Sequence, residues 1–433
     1  MIGFAGLSHL GIVSSAAAAA KGFSVLGYDA DEARCADLSA WKLPVHEDGL
    51  AELIAANSQK LKYTASLDDL RACDVVYISR DVPTDSENRS DTRPLVELAR
   101  GVSANMAEGS ALIVLSQVDP GFTRRLAADL REVLARKRIQ LYYQVETLIF
   151  GSAVVRAMRP ERYMVGCANP ELELHPALRS LLDSFGCPLF KMRYESAELA
   201  KISINFFLVA SVTTTNTLAE LCERIGADWS EIVPTLRLDA RIGPHAYLSP
   251  GLGIAGGNLE RDLATYIQLA ARHGADDSLP KTFFSHSAHR KTWVLRTLHE
   301  LVLSRTAYPV IAVWGLAYKP NTKFVKNAPS LELIQSLRGI RVKLYDPQAR
   351  LEAPIAGVEE VSSALEACKG AHALVIMTAW DEFKRIEPSD VAPLLSPAGV
   401  EPRKTVLDPG AAWKSGHAAR AGLRYLSLGK GGG

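Results

Sequence analysis

Net charge is almost absent from this 433-residue chain: 49 Lys and Arg against 48 Asp and Glu leave +1. No bulk field draws such a protein to nucleic acid or to an anionic membrane, so any anion site has to be local. Cysteine is sparse and dispersed. Cys35, Cys73, Cys167, Cys187, Cys222 and Cys368 show no CxxC spacing, which excludes a disulfide framework and a thiolate zinc site and points to reduced thiols in the cytoplasm. Long apolar runs are missing as well. Ser14–Ala20 is too short to span a bilayer, and no basic segment precedes the first apolar run, Ile2–Ala5. We therefore expect neither a signal peptide nor a membrane span. With 48% hydrophobic and 22% charged residues, the composition is that of a soluble globular protein of two or three domains.

Residues 1–192 alternate short β-rich runs with helical stretches. Ile2–Ala5, Ser24–Tyr28, Val75–Ser79, Ala111–Leu115, Gln140–Tyr143 and Arg162–Cys167 read as strands, the pattern of βαβ units on a parallel sheet. Residues 193–305 form a helical middle, and from Ser196 to about Ile225 no strand signal appears. Ala197, Ala200, Ile204, Phe207, Leu208 and Val212 recur at helical spacing, which predicts a long central helix from Ser196 to Ile225. Further helices are expected over Trp229–Leu236, Leu259–His273 and Ser285–Arg305. Residues 306–433 resume the alternation, with strands at Val310–Val313, Arg341–Tyr345, Ala373–Thr378 and Thr405–Leu407. The glycine-rich tail Gly429–Gly433 is expected to fray.

Gly6-Leu7-Ser8-His9-Leu10-Gly11 follows the first strand and opens a helix. This is the setting of a dinucleotide fingerprint, whose glycines permit a tight turn and whose helix amino end binds a pyrophosphate. Asp29 ends the second strand, where a carboxylate binds ribose hydroxyls and repels a 2′-phosphate, favouring NAD over NADP. Ser8 stands where the middle glycine belongs, so weakened or repositioned phosphate binding is expected. Arg34 reads as a solvated surface charge. His9 either faces the cofactor or lies in a solvent-facing turn.

Pro250–Asp262, PGLGIAGGNLERD, resembles the catalytic loop of the UDP-glucose/GDP-mannose dehydrogenase family, written PGxGFGGSCFPKD. Asp262 matches, but the family's nucleophilic cysteine falls on Asn258. The likeness runs nearly end to end. Leu43–Leu50 is similar to LPxxEPGL, Ser116–Gly121 to STVPPG, and Pro160–Gly166 to PDRVVVG. Ala197–Asn205 resembles AELxKYxxN, Leu238–Gly243 the DxRIG segment, and Gly315–Thr322 is close to GLAFKPNT. The resemblance implies two Rossmann-like, doubly wound α/β domains bridged by a long helix: an NAD-binding domain, a helical dimer-forming middle and a C-terminal nucleotide-sugar-binding domain. It also implies an active site between the two Rossmann-like domains, where members oxidise a nucleotide sugar twice.

Carried onto this chain, the resemblance places NAD on Gly6, Ser8, His9, Leu10, Gly11, Asp29, Pro83, Ser116 and Gln117. It places a nucleotide sugar, foremost a UDP-sugar, on Thr147, Leu148, Arg241, Gly256, Gly257, Tyr318, Lys319 and Lys326. Lys201, Asn205 and Asp262 take the positions that steady an oxyanion, orient it or a water, and accept a proton. Glu146 matches the glutamate that serves thioester hydrolysis, although Gln144, Val145, Ile149 and Phe150 depart around it. Gln117 replaces a threonine, Lys326 replaces an arginine and so lacks its bidentate fork, and one extra residue before Pro250 blurs the placement of Arg241.

Asn258 is the decisive departure, because a carboxamide cannot form the thiohemiacetal and thioester of the second oxidation. Three readings stay open. The first is an NAD-dependent oxidoreductase with only the alcohol-to-carbonyl step intact. The second is a redox-neutral epimerase that retains NAD. The third is a non-catalytic nucleotide-sugar binder. His286 and His289 lie three apart with no further ligand group nearby, so no metal site is expected.

Overall fold

The structure, a computed structural model, describes residues 1–83, 85, 90–255, 257–398 and 404–431. It divides into two compact units, Met1–Ile204 and Asn205–Gly433. Among the described residues, fourteen strands form two sheets.

The first unit holds β1 (Ile2–Ala5), β2 (Val25–Tyr28), β3 (Leu61–Thr64), β4 (Val75–Ile78), β5 (Ala111–Val114), β6 (Gln140–Gln144), β7 (Tyr163–Cys167) and β8 (Leu189–Arg193). Their order is β3-β2-β1-β4-β5-β6-β7-β8, parallel except for the β6–β7 pair. The inner strands are buried on both faces, which is why they read as unbroken apolar runs. Alternate residues feed two cores: Phe4, Tyr77 and Ile113 on one face, Ala5, Val76 and Leu112 on the other. Helix α1 (His9–Ala20) follows β1, and α2 (Phe122–Asp129) follows β5.

Helix α3 (Tyr194–Ile225) runs for 32 residues, and the division between the units falls inside it. It is the one helix among the described residues long and apolar enough to cross a membrane.

The second unit continues with α4 (Trp229–Leu238), α5 (Asn258–His273), α6 (Ser278–Lys291) and α7 (Trp293–Leu298). The single helix expected over Ser285–Arg305 is thus corrected. It begins at Ser278, breaks at Thr292, whose hydroxyl donates to His289 O at 2.7 Å, and passes into a π-turn over His299–Leu303. The second sheet has β9 (Val310–Trp314), β10 (Arg341–Tyr345), β11 (Val358–Glu360), β12 (Ala373–Ile376), β13 (Lys404–Leu407) and β14 (Leu423–Leu426), with α8 (Ser415–Arg420) before the last strand. Its order is β11-β10-β9-β12-β13-β14, all parallel.

The tail is also corrected. Gly429 N donates to Glu223 Oε1 at 2.8 Å, Trp229 N donates to Gly429 O at 2.8 Å, and Gly431 N reaches Ala227 O at 3.0 Å. These glycines mark close packing. A Cβ on Gly429 would stand 2.8 Å from Trp229 Cβ, and one on Gly431 would stand 2.5 Å from Gly226 Cα. Docking of Gly429–Gly431 replaces the expected fraying.

Candidate active site

In the first unit the turn after β1 is compelled by sterics. Gly6 has φ +98°, and a Cβ there would lie 2.7 Å from Arg80 Cβ; a Cβ on Gly11 would lie 2.1 Å from Gly6 O. Ser8 is the residue before α1, yet its side chain makes no cap. Its hydroxyl instead donates to Ser79 O at 3.0 Å and accepts from Asp81 N at 3.1 Å. The Ser8 side chain thus leaves the amino end of α1 uncapped; the His9 N–H is taken by the Asp81 carboxylate, and the N–H groups that follow from Leu10 point to an anion.

Asp29 is held rigidly at the end of β2, accepting from Leu7 N at 2.8 Å and Asp31 N at 3.1 Å. Arg34 is not a free surface charge: its Nη1 stands 3.2 Å from Asp29 Oδ2. His9 is neither solvent-facing nor free. Its ring is buried, with Nε2 2.8 Å from Glu47 Oε1 and its centroid 4.3 Å from that of Phe150. Glu47 also accepts from Gly151 N at 3.0 Å and Ala153 N at 3.2 Å. Sequence reading passed over Glu47 as one letter of a motif; a buried carboxylate shared by three partners is visible only in the fold.

Ser116 is buried and donates to Arg80 O at 2.6 Å, with Gln117 next on the same loop. Pro83 O accepts from Asp91 N at 3.1 Å. Lys201 on α3 donates to Glu146 O at 2.9 Å, with Nζ 3.5 Å from the Glu146 carboxylate. At 15% side-chain exposure, it is a held cation and not a snorkelling one. Glu146 in turn accepts from Leu148 N, and Thr147 O accepts from Arg156 Nε at 2.7 Å. Gln144, the departure from the family's asparagine, accepts from Tyr77 OH at 3.0 Å. A missed residue is Glu198, three before Lys201. Its carboxylate takes Gly121 N at 2.5 Å and Thr123 N at 2.7 Å at the start of α2, while burial raises its pKa.

In the second unit, Asn205 Nδ2 donates to Asp262 Oδ2 at 2.5 Å, and Arg261 Nε lies 3.5 Å from Asp262 Oδ1. Asp262 is 3% exposed. Gly257 (φ +90°) precedes α5, and Asn258 is its first residue, with an exposed side chain. Gly256 lies outside the described residues. Glu260, buried, accepts from Asn327 Nδ2 at 2.5 Å with Lys291 Nζ 3.6 Å away. A Cβ on Gly257 would stand 3.9 Å from Lys326 Cε, so the Lys326–Asn327 turn lies beside the catalytic loop. Sequence reading missed Glu260, Lys291 and Asn327, whose pairing is 67 residues apart along the chain.

Lys319 Nζ lies 5.5 Å from the Tyr318 ring, and Tyr318 N donates to Phe324 O at 3.1 Å. The turn after β9 is locked by Asp346, which accepts from Leu316 N at 2.7 Å and Ala317 N at 3.1 Å. Arg241, 89% exposed, is paired with Asp239 at 2.7 Å. His286 meets Thr217 Oγ1 at 3.0 Å, and His289 meets Glu220 at 3.0 Å. All six cysteines are free thiols, and none belongs to the loop before α5. Burial pushes Cys73 and Cys167 up to about 11 and Cys368 to about 12, and it raises Cys35, Cys187 and Cys222 as well. No side chain here is a ready thiolate.

Three profiles of the UDP-glucose/GDP-mannose dehydrogenase family match the chain: the NAD binding domain over residues 1–185, the central domain over 195–285 and the UDP binding domain over 312–409. The chain is 30% identical over 438 residues to the UDP-glucose 6-dehydrogenase TuaD of Bacillus subtilis, covering 98% of this chain and 92% of that protein. It is 30% identical over 400 residues to the UDP-glucose 6-dehydrogenase of Pseudomonas aeruginosa, covering 88% of each. Among solved structures, a UDP-glucose dehydrogenase from Pyrobaculum islandicum superposes with a TM-score of 0.82 at 25% identity, over 98% of this chain and 96% of that one. NAD is accordingly the cofactor, and the first unit fits it: a glycine turn without room for a Cβ, a helix end that the Ser8 side chain does not cap and a positioned Asp29.

Proposed function

The chain belongs to the UDP-glucose/GDP-mannose dehydrogenase family, and on that premise we propose an NAD-dependent oxidoreductase that takes a nucleotide sugar from alcohol to carbonyl and stops there. When bound, NAD supplies the hydride acceptor. Asp262 takes the alcohol proton, directly or through water, and Asn205 fixes the carboxylate that does so. Lys201, anchored on Glu146, steadies the oxygen as negative charge develops on it. The balance is R–CH2OH plus NAD+ giving R–CHO, NADH and a proton.

The observation that carries this reading is the pairing at α5. The Asn205–Asp262 bond is intact at 2.5 Å while Asn258, four residues before Asp262, offers a carboxamide where a thiolate would be needed. A mere binder has no use for a buried, oriented carboxylate beside an asparagine, which favours chemistry over binding alone.

The substrate is a UDP-sugar, with Lys319, Lys326 and Tyr318 as ligands in the UDP binding domain. We also propose that two copies pair through α3. Phe207, Leu218, Leu221 and Ile225 are exposed and recur at intervals of 11, 3 and 4 residues, which lines one helix face. A paired face, not a bilayer, covers this stripe, and six unpaired thiols suit a reducing cytoplasm.

The test is incubation with NAD and a panel of UDP- and GDP-sugars, following reduced nicotinamide and product mass together. One NADH per sugar with a carbonyl product is expected. Two NADH with an acid would overturn the restriction to one step. An isomer without net NADH would establish an epimerase, and saturable sugar binding without turnover a binder.

A further inference from the structure

A cleft of about 660 Å3 opens along β14, the edge strand of the second sheet. All of its lining residues belong to the second unit. Its walls come from the end of α3, from α7 and from the docked tail. None of these residues was assigned to NAD or to the sugar. In sheet order β14 lies three positions from β9, about 14 Å at ordinary strand spacing, and it is β9 that leads into the Gly315–Lys319 turn.

The charges in the cleft do not cancel. Arg224, Arg296, Arg424 and Lys430 line it, against Glu223, Asp228 and Glu300. Two of those carboxylates are already engaged. Glu223 is bound to the buried Arg290 at 2.5 Å, to Trp293 Nε1 at 3.0 Å and to Gly429 N at 2.8 Å. Asp228 caps α4 through Ser230 N at 2.8 Å and Ser230 Oγ at 2.5 Å, with Lys430 3.4 Å away. Arg224, by contrast, is exposed and has no partner among the described residues. Arg296 stands 3.7 Å from Glu220, a loose pair that leaves its fork open among the described residues.

Ser427 is a second, independent observation. It lines the cleft, is 4% exposed, and its hydroxyl has no hydrogen-bond partner among the described residues. A buried hydroxyl left unpaired is unfavourable unless something else satisfies it. The volume lies within the range of about 300–1,000 Å3 usual for small-molecule sites, and Tyr425 and Trp293 add aromatic surface.

We propose that this cleft binds an organic phosphate of nucleotide size, with Arg224 and Arg296 on the phosphates and the Ser427 hydroxyl as a buried donor. The site is separate from the hydride chemistry and stands whether or not that chemistry is as proposed. Arg224 and Arg296, beside the already engaged Glu223 and Asp228, select an anion, and a fork-shaped guanidinium suits phosphate oxygens.

The experiment is calorimetric titration of ADP, and separately of inorganic pyrophosphate, into the full-length protein at physiological ionic strength. It is run with saturating NAD and UDP present. One saturable site per chain is expected, weakened about tenfold or more by Arg224→Glu and by Arg296→Glu, and a few-fold by Ser427→Ala. Because Arg224 is exposed, its variant keeps the wild-type melting temperature, so the test survives a folding defect in the others. Absence of saturable binding, binding indifferent to Arg224→Glu, or binding abolished by NAD and UDP would overturn the proposal.

Discussion

The amide of Asn205 and the carboxylate of Asp262 meet at 2.5 Å across 57 residues of sequence, joining α3 to α5. An Asp262 oxygen held this way cannot rotate out of line. Replacing the carboxylate by an amide, Asp262→Asn, removes the proposed proton acceptor while preserving shape and a hydrogen-bond partner for Asn205. Turnover should fall by about 10²–10⁴-fold, with NAD affinity and melting temperature unchanged. Steady-state production of reduced nicotinamide measures the first, and calorimetry the second.

Asn258→Cys tests the proposed restriction to one oxidation directly. The side chain at this position is exposed at the first residue of a helix, where the helix dipole lowers a thiol pKa. The variant should acquire a second equivalent of NADH per sugar and form an acid, read by mass spectrometry. A variant that still stops at the carbonyl would show that Gln117, Val145 and the neighbours of Glu146 also have to change.

Thiol chemistry gives an independent check. Burial raises the pKa of all six cysteines, and only Cys187 is more than marginally accessible. Alkylation of the folded protein near neutral pH should label Cys187 at most and leave turnover within about twofold of the untreated protein. Rapid inactivation traced to any other cysteine would count against a thiol-free mechanism.

His286 sets a pH dependence of stability. Burial is the first cause holding its pKa below the ordinary 6.5, with His289 adding to it. The unfolded chain therefore binds more protons in the window between the folded value and about 6.5. The contribution is fully present above that window and is lost as pH falls through the folded pKa. His286→Gln should flatten the acid side of the melting-temperature profile by on the order of 1–2 °C, measured by calorimetry from mildly acidic to neutral pH.

Asp29 joins fold and cofactor. It accepts from Leu7 N and holds Arg34, so Asp29→Ala strands an amide as well as removing the proposed ribose ligand. The KM for NAD should rise about tenfold or more, and stability should drop by about 1–3 kcal/mol. Chemical denaturation separates the two effects.

The strands that the sequence did not reveal have a common address. β3, β8, β11 and β14 are the four sheet edges. None is buried along its length, with half-buried or exposed runs such as LKYT, LFKMR and VEE, so the unbroken apolar signal of a doubly covered strand is missing. The inner strands were legible for the converse reason. In the candidate site, Gly6 and Gly11 were legible from the spacing of one turn after a strand, whereas Lys201, Asn205 and Asp262 were singled out by the family resemblance alone. Glu47, Glu198, Glu260 and Asn327 were not, since each acts through a partner that no local spacing announces.

What the sequence by itself determined was the pair of α/β ends and the helix between them, together with an asparagine, Asn258, where the resemblance leads one to expect a cysteine. These depend on residue identity and short-range periodicity, which any stretch of chain carries with it. Only the tertiary structure decided that His9 is buried on Glu47, that Arg34 is held by Asp29, that the glycine tail packs on Trp229 and that a basic cleft opens beside β14. Those outcomes depend on which distant groups lose water together, and burial of that kind is a property of the folded chain alone.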